Sequence, residues 1–269
     1  MFSFLIAIAA GLLGGLGLFF GGVFGVGGSI GWGFVVFIVA QVVVWRIVQK
    51  RVKAAMESVQ GVMMEGQKRM QAKIARWQMR PSGSIQAMQA ELARDQKVFV
   101  REAIEQTELL HKFDNWVPLM RRQIATQQLG LYWMIKEFKK VDELMPKAMF
   151  LDPMLSAIKL ARMYMTDRPV EEMAKVYEKA TRRLRYNQNV LIAAAWSWIL
   201  LQKKDVDGAF KALNAALERS DNETLKANRD HLANNRVAHF STTALGDQWY
   251  ALLLEEPRIH QQRARPQWR

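Results

Sequence analysis

The chain has 269 residues, no cysteine and a formal net charge of +13. The length fits one or two domains, and the missing cysteine excludes disulfides, thiolate nucleophiles, CxxC redox motifs and cysteine-based zinc sites. The basic excess is local: residues 1–45 carry no charged side chain, 46–80 hold nine basic and two acidic residues, and 257–269 hold four arginines and no acid. Nucleic acid is not expected as a partner, because the excess flanks an apolar segment instead of forming a basic face on a folded domain.

A spanning helix needs roughly 20 mainly apolar residues, and the uncharged stretch at residues 2–44 is long enough for two. Helices are predicted at about 2–20 and 30–46, with the turn among Gly21, Gly22, Gly25, Gly27, Gly28 and Ser29. Trp32 and Trp45 lie near the ends of the second helix, as interfacial aromatics do, and Arg46, Lys50, Arg51 and Lys53 follow at once. The positive-inside rule then leaves residues 46–269 in the cytoplasm, in an integral protein of a bacterial-type inner (plasma) membrane. A cleavable signal peptide would need a basic start, which Met1-Phe2-Ser3-Phe4 lacks.

Eleven of the 17 glycines lie between Gly11 and Gly33. Spacings of four recur at Gly11/Gly15, Gly17/Gly21/Gly25 and Gly27/Gly31, and small residues so spaced let helix backbones approach closely in lipid. They serve either packing within the hairpin or self-association into a homo-oligomer. Phosphate-loop readings of these glycines fail for want of a preceding strand, and no carboxylate lies in the apolar stretch to carry an ion.

Residues 46–79 form the next helix, continuous with the second span. Val48, Val52, Met56, Val59, Met63, Gly66, Met70, Ile74 and Trp77 advance by three or four, which is an amphipathic stripe. The stripe packs either on the protein's own helices or on a second copy. Arg80-Pro81-Ser82-Gly83-Ser84 stops the helix, and Ser84 can cap another at about 85–112.

A faint period of 32 to 36 residues follows. Residues 122–153 give Ala125, Tyr132, Val141, Ala148 and Pro153; residues 154–187 give Ala157, Tyr164, Tyr177 and Ala180; residues 190–222 give Ala193, Trp196, Ala209 and Ala216. This pattern of small and aromatic positions resembles the tetratricopeptide repeat (TPR), a 34-residue helix–turn–helix, over about residues 122–254. Leu129 departs from the family's usual small residue. The resemblance implies a concave groove that binds another protein or a peptide helix. Gln123, Thr126, Trp133, Arg162, Ala194 and Trp198 are the positions that would line it. The same groove could instead be filled by the protein's own stalk.

The fold class expected is therefore all-α. It comprises a Gly-rich transmembrane hairpin at 1–46, an amphipathic stalk of two antiparallel helices at 47–115, a TPR-like α-solenoid of three to four helix pairs at 116–256, and a basic tail at 257–269. Three function classes follow: a membrane-anchored, non-catalytic scaffold; a structural or channel-like subunit that oligomerises through its glycines; or a peripheral lipid-binding module using residues 46–80. None needs a cofactor or metal. The four histidines form no metal-ligand spacing, and no nucleophile, Walker or kinase motif is present, so no catalytic residue is assigned.

Overall fold

The computed structural model describes residues 2–22, 25–80 and 84–257. Among these every regular element is helical. The chain divides into two compact units, Met1–Met149 and Phe150–Arg269. The helices that follow the stalk pack into it, so the first unit runs past residue 115.

The first unit opens with α1 (Phe2–Phe20) and α2 (Val26–Met79), packed along each other. Both are long and apolar enough to cross a membrane. Their large side chains are mostly exposed, among them Leu13, Phe20, Ile30 and Phe34. The second helix starts at Val26, earlier than the expected residue 30, because the glycines from 27 to 31 stay helical. It then runs without interruption for 54 residues into the stalk. Residues 23–24 of the expected turn and 81–83 of the expected break lie outside the described residues.

The stalk stripe is covered by the protein's own helices. Ser84 caps α3 (Ile85–Glu108), accepting from the Ala87 N–H at 3.1 Å, and a 3₁₀ turn, Leu109–Phe113, ends the element. Then come α4 (Met120–Met134) and the short α5 (Phe138–Leu144). Val48 and Val52 bury against Leu110, Met120 and Ile124. Further along, Val59 buries against Val100, Ala103, Ile104, Leu131 and Ile135. Gly66 lets the Phe99 ring settle directly on the α2 backbone. Lys73 joins the two long helices through Glu91 at 2.5 Å and Asp95 at 2.6 Å, and these bonds hold its pKa above the ordinary lysine value. The start of α1 returns to the same end as α4: the Phe2 N–H donates to the Asn115 carbonyl at 2.9 Å, and the Phe2 ring meets Trp116 edge-on.

The second unit contains α6 (Pro153–Met165), α7 (Val170–Thr181), α8 (Val190–Gln202), α9 (Val206–Leu217) and α10 (Glu223–Ala233). Asp152, Asp205 and Asn222 cap α6, α9 and α10. Helix α6 packs on α7 and α8, α8 on α9, and α9 on α10. Leu191–Leu200 of α8 are all buried, which makes α8 the central helix of this unit. After α10 the chain passes through two short 3₁₀ turns into a single-turn α11 (Asp247–Tyr250), so the expected fourth helix pair is incomplete. Of the expected tail at 257–269, residues 258–269 lie outside the described residues.

One turn recurs through both units. Lys136, Asp167, Lys204 and Asn235 all have positive φ, between 49° and 65°. At each, the N–H of that residue bonds three positions back and the next N–H bonds five back: Glu137 to Tyr132, Arg168 to Met163, Asp205 to Leu200, Arg236 to His231. This is the left-handed closure that satisfies orphan carbonyls at a helix end.

Candidate functional site

The hairpin interface uses a subset of the predicted glycines. A Cβ at Gly11 would lie 2.8 Å from the Gly33 carbonyl and 2.9 Å from Phe37 Cβ; one at Gly15 would lie 3.0 Å from the Ser29 carbonyl. Backbone approaches that close admit only glycine. Gly17, Gly25, Gly27 and Gly31 have nothing within 4 Å of a Cβ, so they take no part in packing within the hairpin, the first of the two roles expected of these glycines. The reason is helical phase. The contact runs through Ala7, Gly11 and Gly15 on α1 and through Ser29, Gly33 and Phe37 on α2, each set spaced by four residues. Positions 27 and 31 fall two residues out of that register. Gly21 lies exposed past the end of α1, its N–H bonded to the Gly17 carbonyl. Ser29 was read as part of the turn and Gly33 was not singled out for packing, although continuing the four-residue register from Gly25 would have found both.

Arg46, Lys50, Arg51 and Lys53 are all exposed on α2 immediately after the apolar stretch. Lys53 lies 3.8 Å from Glu57, both well solvated, an exposed pair of little energetic weight.

The six predicted groove residues fall three to each unit. In the first, Gln123 and Thr126 are half-buried, and the Thr126 hydroxyl accepts the Met149 N–H at 2.8 Å. Trp133 is buried, with its ring edge-on to Phe138 at 5.5 Å. In the second, Arg162 is half-buried, Ala194 is fully buried and Trp198 is 9% exposed. Trp133, Ala194 and Trp198 are therefore packing residues in this structure, a correction to their reading as open groove wall. Helix α8 lacks a polar face, and a helix apolar all round is driven into the core.

Trp198 carries the most specific polar arrangement in the second unit. Its indole N–H donates to Glu255 Oε1 at 2.8 Å, and the Trp249 N–H donates to Glu255 Oε2 at 2.8 Å. The Thr242 hydroxyl lies 3.4 Å from the same carboxylate. The indoles meet edge-on at 6.1 Å, and Trp198 also meets Tyr164 at 5.3 Å. Segment 249–255 thus closes over α8 by clamping one carboxylate between two indole donors. Neither Trp249 nor Glu255 stood out in the sequence, since both follow the last recognisable repeat position.

The loops at the other end of the second unit are tied together. The Arg219 guanidinium donates to the carbonyls of Thr181 at 2.8 Å and Leu184 at 2.6 Å, and Asn189 donates to the Ala216 carbonyl at 2.9 Å. Nearby, burial raises the Tyr177 phenol to about 12. Its ring stacks on Trp196 at 5.7 Å. On α6, burial pushes the Lys159 ammonium below the ordinary lysine value, and it sits 4.6 Å from the Phe150 ring centre.

Among the described residues no group of three or more His, Asp or Glu converges as a metal site. Comparison of the chain with protein-family models, with curated proteins and with solved structures finds no match.

Proposed function

We propose that the chain is a membrane-anchored, non-catalytic adaptor. The apolar hairpin of α1 and α2 anchors it, and the soluble helical hairpins present a surface to another protein or peptide helix. The observation that carries this reading is α2 itself. One unbroken helix of 54 residues begins in an apolar stretch and ends in a stripe buried by α3 and α4. An anchor and a soluble body built on the same helix are one mechanical piece. The basic residues just past the apolar stretch favour a cytoplasmic body.

The helical hairpins are read as TPR-like. The four identical left-handed closures support this, at 31, 37 and 31 residue intervals along positions 136, 167, 204 and 235. Nearest-neighbour packing from α6 to α10 supports it as well. Half-buried Gln123 in the first unit and half-buried Arg162 in the second are the predicted positions retained for partner contact, each within its own unit; Trp133, Ala194 and Trp198 would act by holding the helices in place.

The test has two arms. The full chain is expected to stay in membranes through alkaline carbonate washing, and a chain lacking residues 1–45 is expected to wash out. A photo-crosslinker at Arg162 should then capture a defined protein from the membrane fraction of cells bearing the full chain. Carbonate release of the full chain, or no defined adduct, defeats the proposal.

The outward positions of Gly17, Gly25, Gly27 and Gly31 favour one second reading, a channel-like or structural subunit that self-associates through the hairpin. A discrete oligomeric mass of the detergent-solubilised chain would support it, and a monomer would remove it.

A further inference from the structure

The loop that leads into α4, Asn115-Trp116-Val117-Pro118-Leu119, carries no charged side chain. Leu119 is 59% exposed and holds φ at 64°, a left-handed setting that a bulky side chain rarely adopts, and Pro118 beside it is exposed as well. Asp114, which precedes the loop, is largely buried and paired with Arg121 at 2.9 Å. Exposed apolar side chains are common on soluble proteins, so exposure alone assigns no partner. Position does.

The Phe2 N–H donates to the Asn115 carbonyl at 2.9 Å, the Ser3 hydroxyl donates to the Trp116 carbonyl at 3.5 Å, and the Phe2 and Trp116 rings meet edge-on at 5.8 Å. Trp116, Val117 and Pro118 also wall one recess with Phe4, Gln41 and Trp45. The loop is thus fixed at the end of the hairpin where α1 begins and the uncharged stretch of α2 stops. At 1.5 Å per residue, α1 is about 28 Å long and Val26–Trp45 of α2 about 30 Å. That matches a hydrocarbon core of about 30 Å. A hairpin that crosses the bilayer therefore sets Phe2 and Trp45 at one boundary of the core and Gln41 a turn inside it. A loop packed beside Phe4 and Gln41 then lies at that same boundary, the depth at which tryptophan is favoured.

We infer that loop 115–119 is a second membrane contact, separate from the spanning hairpin, with Pro118 and Leu119 set between the lipid head groups and the acyl chains. The occupant of this surface is the bilayer itself. No head-group charge is required, because the loop presents none. Contact there covers the exposed Leu119 and ties the first unit to the membrane at the start of α4 as well as through α2. The inference rests on the membrane anchorage proposed above.

The chain has no cysteine, so one introduced cysteine carries a nitroxide label at a single known position. The full chain labelled at Leu119→Cys is reconstituted into phosphatidylcholine liposomes holding no other protein. Electron paramagnetic resonance then compares collision with oxygen, which partitions into lipid, against collision with a water-soluble nickel chelate. Two reference labels frame the reading. Leu13→Cys lies midway along α1 at a residue 72% exposed. Val98→Cys replaces a residue 68% exposed on α3, beside Gly66 and so about 32 Å along α2 from Trp45. The oxygen-to-nickel ratio at 119 should fall below that at 13 and stand several-fold above that at 98. Pro118→Cys should give the same order, and it carries the test alone if the label at 119 prevents reconstitution. A ratio at these positions no higher than at 98 overturns the inference. The two failures differ. Water-like ratios at 13 and 119 alike bring down the anchorage and the loop contact together, whereas a lipid-like ratio at 13 with a water-like one at 119 removes the loop contact alone.

Discussion

Replacing Gly66 with alanine should destabilise the α2–α3 pair, while the same replacement at Gly61, five residues earlier on α2, should stabilise it. Both glycines lie inside the long helix, where alanine is favoured by about 1 kcal/mol per residue. They differ in surroundings. Gly61 is exposed, with no heavy atom within 4 Å of an added methyl, whereas a methyl at Gly66 would lie 2.6 Å from Phe99 Cδ1 and nearer still to Cγ. The ring would have to leave its place on the α2 backbone. Inserting a methyl into a packed site costs about 1–3 kcal/mol. Gly61→Ala is thus expected to gain about 1 kcal/mol, and Gly66→Ala to fall about 1–3 kcal/mol below it. Thermal unfolding of the detergent-solubilised full chain, followed by circular dichroism, reads this as a gap of several degrees, at about 2–4 °C per kcal/mol. Gly66→Ala combined with Phe99→Leu should close much of the gap. If Gly66→Ala raises the midpoint as far as Gly61→Ala, the α2–α3 contact described above is wrong.

Gly11→Leu should lower the thermal midpoint sharply by forcing the hairpin backbones apart, while Gly31→Leu should not; equal effects would refute the helical phase assigned to the interface. Trp198→Phe keeps the ring contacts but takes one donor from Glu255, and should cost about 1.5–3 kcal/mol in denaturant unfolding, as hydrogen bonds to charged groups do; an unchanged midpoint would mean that segment 249–255 does not close on α8. Tyr177 supplies a pH test. Its folded pKa of about 12 exceeds the ordinary value of 10.0, so the folded state holds the proton longer. The associated stability is complete below pH 10 and drains away as pH rises toward 12, by at most about 2–3 kcal/mol. Tyr177→Phe should flatten the alkaline fall in stability measured between pH 9 and 11.5, and an identical slope would count against the burial of the hydroxyl.

The helices were legible where pattern and punctuation agree. The stalk stripe from Val48 to Trp77 is buried or half-buried at every predicted position, and Ser84 caps α3 as its place before an apolar period suggests. The hairpin was legible as a hairpin, but not which glycines make it: spacings of four occur on several faces, and only the partner helix selects one. Helix α8 misled for a related reason. A TPR-type position predicts which side of a helix a residue occupies, yet a helix as apolar as residues 190–202 has no side left for solvent. The Trp198–Glu255–Trp249 clamp was beyond sequence reasoning, because it joins residues 57 positions apart through a segment with no periodicity. The left-handed closures were also hidden: lysine and aspartate hold three of those four positions, where glycine is the usual signal.

At 1.5 Å per residue, α2 is a rod roughly 80 Å long, with no proline or break in it. A rod fixed at both ends conducts torque. Its first third is gripped by α1 through backbone contacts at Gly11 and Gly15, and the stretch beyond by α3 and α4 through the valine stripe. A turn of the apolar part about the helix axis would be carried along the same backbone toward Val59 and Gly66. The angular setting of the stalk is thereby tied to that of the apolar hairpin.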